Sequence, residues 1–238
     1  MNINTKTTTP VPARPATKQV QDVCREIEEV GLVPVVRAPS APVALRAVEA
    51  VLAGGISILE ITMTVPDALS VISTIVSRLG RRALVGAGTV LSADDARACV
   101  DAGARFIVSP GLDVPTVEAA RALGVPVMPG ALTPTEVITA WKAGADMVKI
   151  FPCSAMGGPK YLRALRGPLP AVKLLPTGGV NATTAADYIA AGASALGVGS
   201  ELIDLAALAA GNDDVLTARA RELCEVVRRA RASLASGA

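Results

Sequence analysis

Eight short apolar runs alternate along the chain with Ala-rich segments of helical character. A strand that is hydrophobic at nearly every position is covered on both faces, as in parallel α/β sheets, and each run here is followed by a segment opened by Ser, Thr, Asp or Pro. The runs span residues 32–38, 57–63, 83–89, 106–111, 125–131, 146–152, 172–179 and 195–200. Eight βα units in one chain predict an α/β fold of the closed (β/α)8 barrel type rather than an open doubly wound sheet.

The segments flanking these runs complete the predicted organisation. Residues 1–17 are rich in Thr, Pro and Ala and are expected to form a flexible tail. An amphipathic helix is predicted near residues 19–30, before the first strand, and a charged helix over 212–234 is expected to pack outside the barrel. Residues 18–238 are therefore expected to form a single domain, since 238 residues match the usual size of one such barrel.

Helix ends are marked by a recurring Ala-Gly pair. Glycine after the last helical residue adopts the left-handed conformation that closes a helix, so each pair predicts a glycine C-cap before the next strand. The pairs are Ala53-Gly54, Ala102-Gly103, Ala143-Gly144 and Ala191-Gly192.

Composition excludes several classes of function. The chain contains no histidine, which rules out Ser-His and Cys-His nucleophile pairs and most zinc chemistry. A net charge of +2 and 2% aromatic residues give neither the basic field nor the stacking surfaces of a nucleic-acid-binding protein.

Location and redox state follow from similar arguments. The N-terminal segment lacks the apolar core of a signal peptide, and charges interrupt the apolar stretches before the roughly 18 residues that a membrane span needs. A cytoplasmic protein without a membrane partner is expected. Four cysteines lie far apart without a CxxC pair and are interpreted as reduced, mostly buried thiols, at positions 24, 99, 153 and 224.

Two charged residues lie inside apolar strands. Lys149 is expected near the C-terminal end of the sixth strand, and Glu60 follows the apolar residues Ile-Ser-Ile-Leu of the second. Functional groups of such barrels collect at the C-terminal ends of strands, and side chains from alternate strands share a layer, so the two are expected to meet. Burial favours the neutral amine that attacks a ketone, and it raises the pKa of a carboxyl group such as Glu60. A paired lysine with a carboxylate counter-ion is the structural alternative.

Two glycine-rich segments end the last two strands. Pro-Thr-Gly-Gly-Val (176–180) and Gly-Val-Gly-Ser (197–200) place backbone N–H groups where barrels of this type often bind phosphate. A phosphorylated substrate is therefore predicted, although glycines at these positions also suit tight turns.

These motifs, in their order, resemble a known family. The segments are Val-Pro-Val-Val-Arg (33–37), Gly-Gly-Ile-Ser-Ile-Leu-Glu-Ile-Thr (54–62), Val-Gly-Ala-Gly-Thr-Val (85–90), Ile-Val-Ser-Pro-Gly (107–111), Met-Pro-Gly-Ala-Leu-Thr-Pro-Thr-Glu (128–136), Val-Lys-Ile-Phe-Pro (148–152) and Pro-Thr-Gly-Gly-Val (176–180). From about residue 31 to residue 204 the chain resembles the 2-keto-3-deoxy-6-phosphogluconate and 4-hydroxy-2-oxoglutarate aldolases.

The resemblance implies a class I aldolase that releases pyruvate and works as a homotrimer without metal or cofactor. It implies that Lys149 is the Schiff-base lysine and that Glu60 moves protons. The substrate-binding residues that the resemblance and the glycine-rich segments together suggest are Thr89, Pro110, Phe151, Thr177, Gly178, Gly179, Gly199 and Ser200. Many members hold the substrate carboxylate with an arginine four residues after the glutamate, where this chain has Thr64, so Thr64 is also predicted to lie in the site. Arg37, at the end of the first strand, is predicted to supply that charge.

Two other functions remain open on sequence grounds. A phosphate-binding barrel isomerase or epimerase would share the glycine-rich segments without requiring an amine nucleophile. A non-catalytic barrel that serves as an oligomeric scaffold would require neither.

Overall fold

The computed structural model describes residues 17–236, so the predicted tail lies almost entirely outside the described residues. The strands are β1 (Leu32–Val36), β2 (Ile58–Thr62), β3 (Leu84–Gly88), β4 (Ile107–Val108), β5 (Val127–Met128), β6 (Gly130–Ala131), β7 (Val148–Ile150), β8 (Leu174–Pro176) and β9 (Leu196–Val198). The helices are α1 (Lys18–Val30), α2 (Ala41–Ala53), α3 (Ala68–Leu79), α4 (Ala93–Asp101), α5 (Val114–Ala122), α6 (Pro134–Ala143), α7 (Pro159–Arg166), α8 (Ala185–Ala190), α9 (Leu205–Ala209) and α10 (Asp214–Ser236).

All strands pair in parallel, which confirms the predicted α/β class. One sheet has the order β5-β4-β3-β2-β1-β9, and the other has the order β6-β7-β8. A parallel bridge joins Thr177, directly after β8, to Gly197 within β9. Every residue of the strands is buried, because helices cover the outer face of the parallel sheet.

All eight predicted runs contain a strand, and each strand is shorter than its run. The fifth run is divided into β5 and β6 by Pro129, which has no backbone N–H to donate to a neighbouring strand. The Pro129 carbonyl still accepts a hydrogen bond from the Lys149 backbone N–H at 3.0 Å.

Helix α1 covers the N-terminal ends of the strands. Its buried residues Val20, Val23, Cys24 and Ile27 follow the spacing of one helical face. They form one apolar cluster with side chains from the strand segments, namely Val33, Ile58, Leu84, Phe106, Val108, Met128, Met147, Leu175 and Ala195. The opposite, C-terminal ends of the strands are thereby left open to hold a site.

Three of the four predicted glycine C-caps are confirmed, at Gly103, Gly144 and Gly192, and five helices begin at a side-chain cap. Side chains accept a backbone N–H at the first turns of α1, α4, α5, α6 and α9, from Thr17, Ser92, Asp113, Thr133 and Asp204. The prediction for Gly54 is wrong: its φ is −81°, and the left-handed residue is Gly55 at φ 99°. A Cβ on Gly54 would lie 2.3 Å from the Cβ of Ala220, so Gly54 instead allows α10 to approach.

The predictions for the cysteines and for the position of the C-terminal helix can be compared with the structure. All four cysteines are free thiols, and three of them are buried. Helix α10 lies against α2 and α8 outside the strands, as predicted, but its first turns also reach the C-terminal end of the sheet. No helix within residues 17–236 is long and apolar enough to cross a membrane.

Candidate active site

The side chain of Lys149 occupies the centre of the site. Lys149 is the middle residue of the short strand β7 and not, as predicted, close to its C-terminal end. It is in register with Gly130 of β6 and Leu175 of β8. Only 6% of its side chain is exposed, and its Nζ atom lies 3.8 Å from Oε1 of Glu60 and 5.3 Å from the centre of the Phe151 ring. The amine is thus held between an acidic group and an aromatic face, with access to the space above the strand ends.

The Glu60 carboxyl group is the more deeply buried partner. Its side chain is 1% exposed, and burial raises its pKa above the ordinary value, although the nearby positive charges of Lys149 and Arg37 oppose that shift. The distance of 3.8 Å is too long for a hydrogen bond, and Oε1 has no hydrogen-bond partner within the part of the chain that the structure describes. A buried acceptor without a partner is ready to take a proton or a hydrogen bond from a bound molecule.

Gly88, at the end of β3, makes room for this carboxyl group. A Cβ at Gly88 would lie 2.0 Å from Oε1 of Glu60 and 2.6 Å from its Cδ. Any side chain there would displace Glu60, so the glycine fixes the distance between the acid and the amine.

A cavity of about 720 Å³ opens above Lys149. Ten of the twelve residues predicted to form the site line it: Lys149, Arg37, Thr89, Pro110, Phe151, Thr177, Gly178, Gly179, Gly199 and Ser200. Glu60 lies beneath the cavity against Lys149, and Thr64 lies outside its lining. The volume accommodates a small sugar acid.

Arg37 and Thr64 differ in their access to this cavity. Arg37 lines it and makes no ion pair with Glu60, whose ion-pair partner within residues 17–236 is Lys149. The Thr64 hydroxyl shares a hydrogen bond of 2.9 Å with the hydroxyl of Thr62, which donates to the Val36 carbonyl at 3.1 Å. Thr64 is therefore engaged with the ends of β1 and β2, and Arg37 is the cation available there.

The two glycine-rich segments lie side by side in the lining of the cavity. Gly178 and Gly179 have φ values of 94° and 72°, in the left-handed region that glycine adopts without strain. A Cβ at Gly197 would lie 2.1 Å from Oγ1 of Thr177, so this glycine allows β9 to approach the end of β8. The buried Thr177 hydroxyl has no hydrogen-bond partner among the described residues.

The cavity also contains charged groups that the sequence analysis did not identify. Glu201 and Asp204 follow β9, and Arg219 comes from α10. Nη2 of Arg219 lies 2.9 Å from Oδ2 of Asp204. The positions of Glu201 and Asp204 directly after the glycine-rich segment could have suggested proximity, but nothing in the pattern of α10 indicated that Arg219 reaches the cavity. Within residues 17–236, no group of three or more Cys, Asp or Glu side chains is arranged to hold a metal ion.

Comparison with known proteins identifies the family of the chain. The family model described as KDPG and KHG aldolase matches residues 20–218. The chain belongs to this aldolase family. The KHG/KDPG aldolase of Escherichia coli K12 is 37% identical over 194 residues, which cover 82% of this chain and 91% of that one.

Two solved structures are similar over most of the chain. One is a KDPG aldolase from Legionella pneumophila with pyruvate captured as a covalent carbinolamine intermediate. It has a TM-score of 0.78 and 30% sequence identity, and the match covers 84% of this chain and 97% of the Legionella chain. A cube-shaped protein cage designed by fusing symmetric oligomeric domains has a TM-score of 0.79 and 32% identity, covering 87% of this chain and 75% of that chain.

Family membership confirms the resemblance found in the sequence. The protein is an aldolase, a lyase that cleaves a carbon–carbon bond. The isomerase and scaffold alternatives receive no such support. The roles of the individual residues stay predictions.

Proposed function

We propose that Lys149 forms a Schiff base with the C2 ketone of a 2-keto-4-hydroxy acid. The neutral amine attacks C2 to give a carbinolamine, which loses water to form an iminium ion. The iminium accepts the electron pair of the C3–C4 bond as that bond breaks, and the C4 hydroxyl loses its proton as the aldehyde leaves. The enamine that remains is protonated at C3, and water releases pyruvate and the free amine.

Glu60 is the group proposed to move the protons. The observation that carries the proposal is the contact between a buried amine and a buried carboxyl group, 3.8 Å apart, beneath a cavity. The raised pKa of Glu60 suits an acid–base catalyst, because the group then exchanges a proton more readily near neutral pH. The carbinolamine in the related Legionella protein supports the same chemistry.

The proposed substrate is a phosphorylated sugar acid. Cleavage of 2-dehydro-3-deoxy-6-phosphogluconate gives pyruvate and glyceraldehyde 3-phosphate, and cleavage of 4-hydroxy-2-oxoglutarate gives pyruvate and glyoxylate. The phosphorylated substrate is favoured because Gly178, Gly179, Gly199 and Ser200 lie together in the cavity lining. Backbone N–H groups at such turns bind phosphate without a charged side chain.

The opposite end of the substrate, its carboxylate, is assigned to Arg37. Arg37 lines the cavity together with Thr89 and Pro110, whereas the Thr64 hydroxyl is bonded to Thr62. A guanidinium binds a carboxylate through two parallel hydrogen bonds. Phe151, beside the Lys149 amine, is proposed to pack against the pyruvate moiety.

We further propose that residues 18–238 belong to one closed (β/α)8 barrel. Three features support closure: β5 and β6 are separated only by Pro129, Thr177 after β8 bridges to Gly197 within β9, and one apolar cluster draws on each of the eight predicted runs. The similarity to a cage made from oligomeric domains supports a homotrimer. Location in the cytoplasm stays a prediction.

Steady-state assays test the proposed function. Pyruvate release is measured with 2-dehydro-3-deoxy-6-phosphogluconate, with its galactonate epimer and with 4-hydroxy-2-oxoglutarate, for the wild type and for Lys149→Ala. The proposal predicts turnover of at least one of these substrates by the wild type and none by the variant. Turnover that survives in Lys149→Ala would refute it.

A further inference from the structure

The positively charged side chain of Arg219 lines the cavity, and Arg219 lies outside the segment that the family model matches. The match ends at residue 218, and Arg219 lies in the second turn of α10. Its Nη2 donates to Oδ2 of Asp204 at 2.9 Å, and its Nη1 donates to the Glu201 carbonyl at 3.1 Å. The guanidinium is therefore fixed at two points.

Both acceptors lie in the turn that follows β9. The N–H groups of Leu202 and Ile203 donate to the Gly199 carbonyl at 3.0 and 2.9 Å, which closes this turn directly after the glycine-rich segment. Arg219 is thus tied to the same short segment that presents Gly199 and Ser200 to the cavity. Its position is coupled to the proposed phosphate site and not only to the helix that carries it.

Asp204 holds the guanidinium in a defined orientation. Its Oδ1 accepts the N–H of Ala207 at 2.9 Å, as the N-cap of α9, while its Oδ2 accepts from Arg219. The backbone N–H of Ala207 and the charge of Arg219 lower the pKa of Asp204, so the carboxylate remains ionised at neutral pH. The arginine is consequently oriented before any ligand enters.

The guanidinium retains donors for a ligand. Arginine has five N–H groups, and two of them are engaged in contacts with the residues that the structure describes. Arg219 lines the same cavity as Gly178, Gly179 and Ser200. A planar guanidinium with free donors is the side chain best matched to phosphate oxygens.

We propose that Arg219 is a specificity-determining residue that recognises the phosphate at the far end of the substrate. The inference rests on the proposed function of the site. It adds a charged side chain from α10 to the backbone N–H groups of the glycine-rich segments. The alternative is that Arg219 only anchors α10 to the turn after β9.

The chain offers a matched control for that alternative. Arg46 of α2 binds Asp213 at the start of α10, with Nε donating to Oδ2 at 3.0 Å. This pair also anchors α10, and neither residue lines the cavity. Arg46→Ala therefore reports on helix anchoring alone.

The experiment measures kcat/KM for 2-dehydro-3-deoxy-6-phosphogluconate and for 4-hydroxy-2-oxoglutarate in the wild type, Arg219→Ala, Arg219→Lys and Arg46→Ala. In Arg219→Ala, kcat/KM for the phosphorylated substrate, divided by kcat/KM for 4-hydroxy-2-oxoglutarate, is expected to fall about 10-fold. The fall comes mostly from a higher KM for the phosphorylated substrate, as for loss of a charged hydrogen bond at a partly exposed site. Arg219→Lys restores part of the ratio, and Arg46→Ala leaves it unchanged.

The outcomes separate this inference from the proposed function. Pyruvate trapping by borohydride is measured on every variant, because pyruvate has no phosphate and the adduct depends on Lys149 alone. An unchanged ratio in Arg219→Ala, or an equal loss with both substrates, overturns the role of Arg219 while trapping still succeeds. Failure of the wild type to trap pyruvate would refute the proposed function instead.

Discussion

Replacing Gly88 with alanine is the change that most selectively disturbs the contact between Glu60 and Lys149. The new Cβ would lie 2.0 Å from Oε1 and 2.6 Å from Cδ and Cγ of Glu60, well inside van der Waals contact. Because Glu60 is packed on all sides, its carboxyl group must rotate or shift by more than 1 Å, roughly the deficit to a normal contact. The distance of 3.8 Å to the lysine is then lost.

Two effects of different size are expected from Gly88→Ala. Overpacking of a buried strand lowers the free energy of unfolding by about 1 to 3 kcal/mol. In a chain of this length, each kcal/mol lowers the melting temperature by about 2 to 4 °C. Misplacing an acid–base group costs about 100-fold or more in kcat. Thermal unfolding and steady-state cleavage measure the two separately.

Gly86→Ala is the matched control on the same strand. A Cβ there would lie 2.3 Å from the Phe106 ring, so the overpacking is similar, but the clash involves a core side chain instead of Glu60. We expect a comparable loss of stability with a much smaller loss of kcat. If Gly88→Ala retains wild-type kcat, or if both variants lose kcat equally, the argument that Gly88 positions Glu60 is refuted.

Three further predictions follow from the same geometry. Burial raises the pKa of Glu60, so the contribution of Glu60 to the free energy of unfolding is complete below the ordinary glutamate pKa and is lost as pH rises through the raised value. Chemical denaturation across pH should show this decline in the wild type and not in Glu60→Gln. The Glu60→Gln variant is also expected to lose about 100-fold in kcat. Arg37→Ala should raise the KM for the keto acid about 10-fold, as for loss of a charged hydrogen bond, whereas Thr64→Ala should change it little; equal effects in steady-state assays would contradict the assignment. Gly54→Ala should lower the melting temperature by several degrees, as roughly 1 to 3 kcal/mol of overpacking requires, and Gly111→Ala, which meets no atom within 4 Å, should not.

Much of the fold was predictable because its signals are local. A strand covered on both faces must be apolar throughout, and helix starts require side chains that bind free N–H groups, so both patterns are visible in the sequence. The ionisable residues Glu60 and Lys149 are conspicuous for the same reason, since charges inside such strands are rare.

The features that the sequence did not predict depend on distant parts of the chain. Gly54 was expected to end α2 in a left-handed conformation, but its lack of a side chain instead allows contact with Ala220, which is remote in sequence. Arg219 belongs to a charged helix whose periodicity indicates its packing face and not which of its residues reaches the cavity. The hydrogen bond between Thr64 and Thr62 was not predictable either, because it depends on how the ends of β1 and β2 lie side by side.

Borohydride reduction in the presence of pyruvate tests the central claim most directly. The account predicts one reduced pyruvate adduct per chain, located by peptide mass spectrometry on Lys149, and none in Lys149→Ala. Lys173, which directly precedes the N-terminal end of β8 and pairs with Glu28, serves as the internal control and should stay unmodified. An adduct confined to another lysine, or no adduct in an enzyme that still cleaves its substrate, would contradict the account.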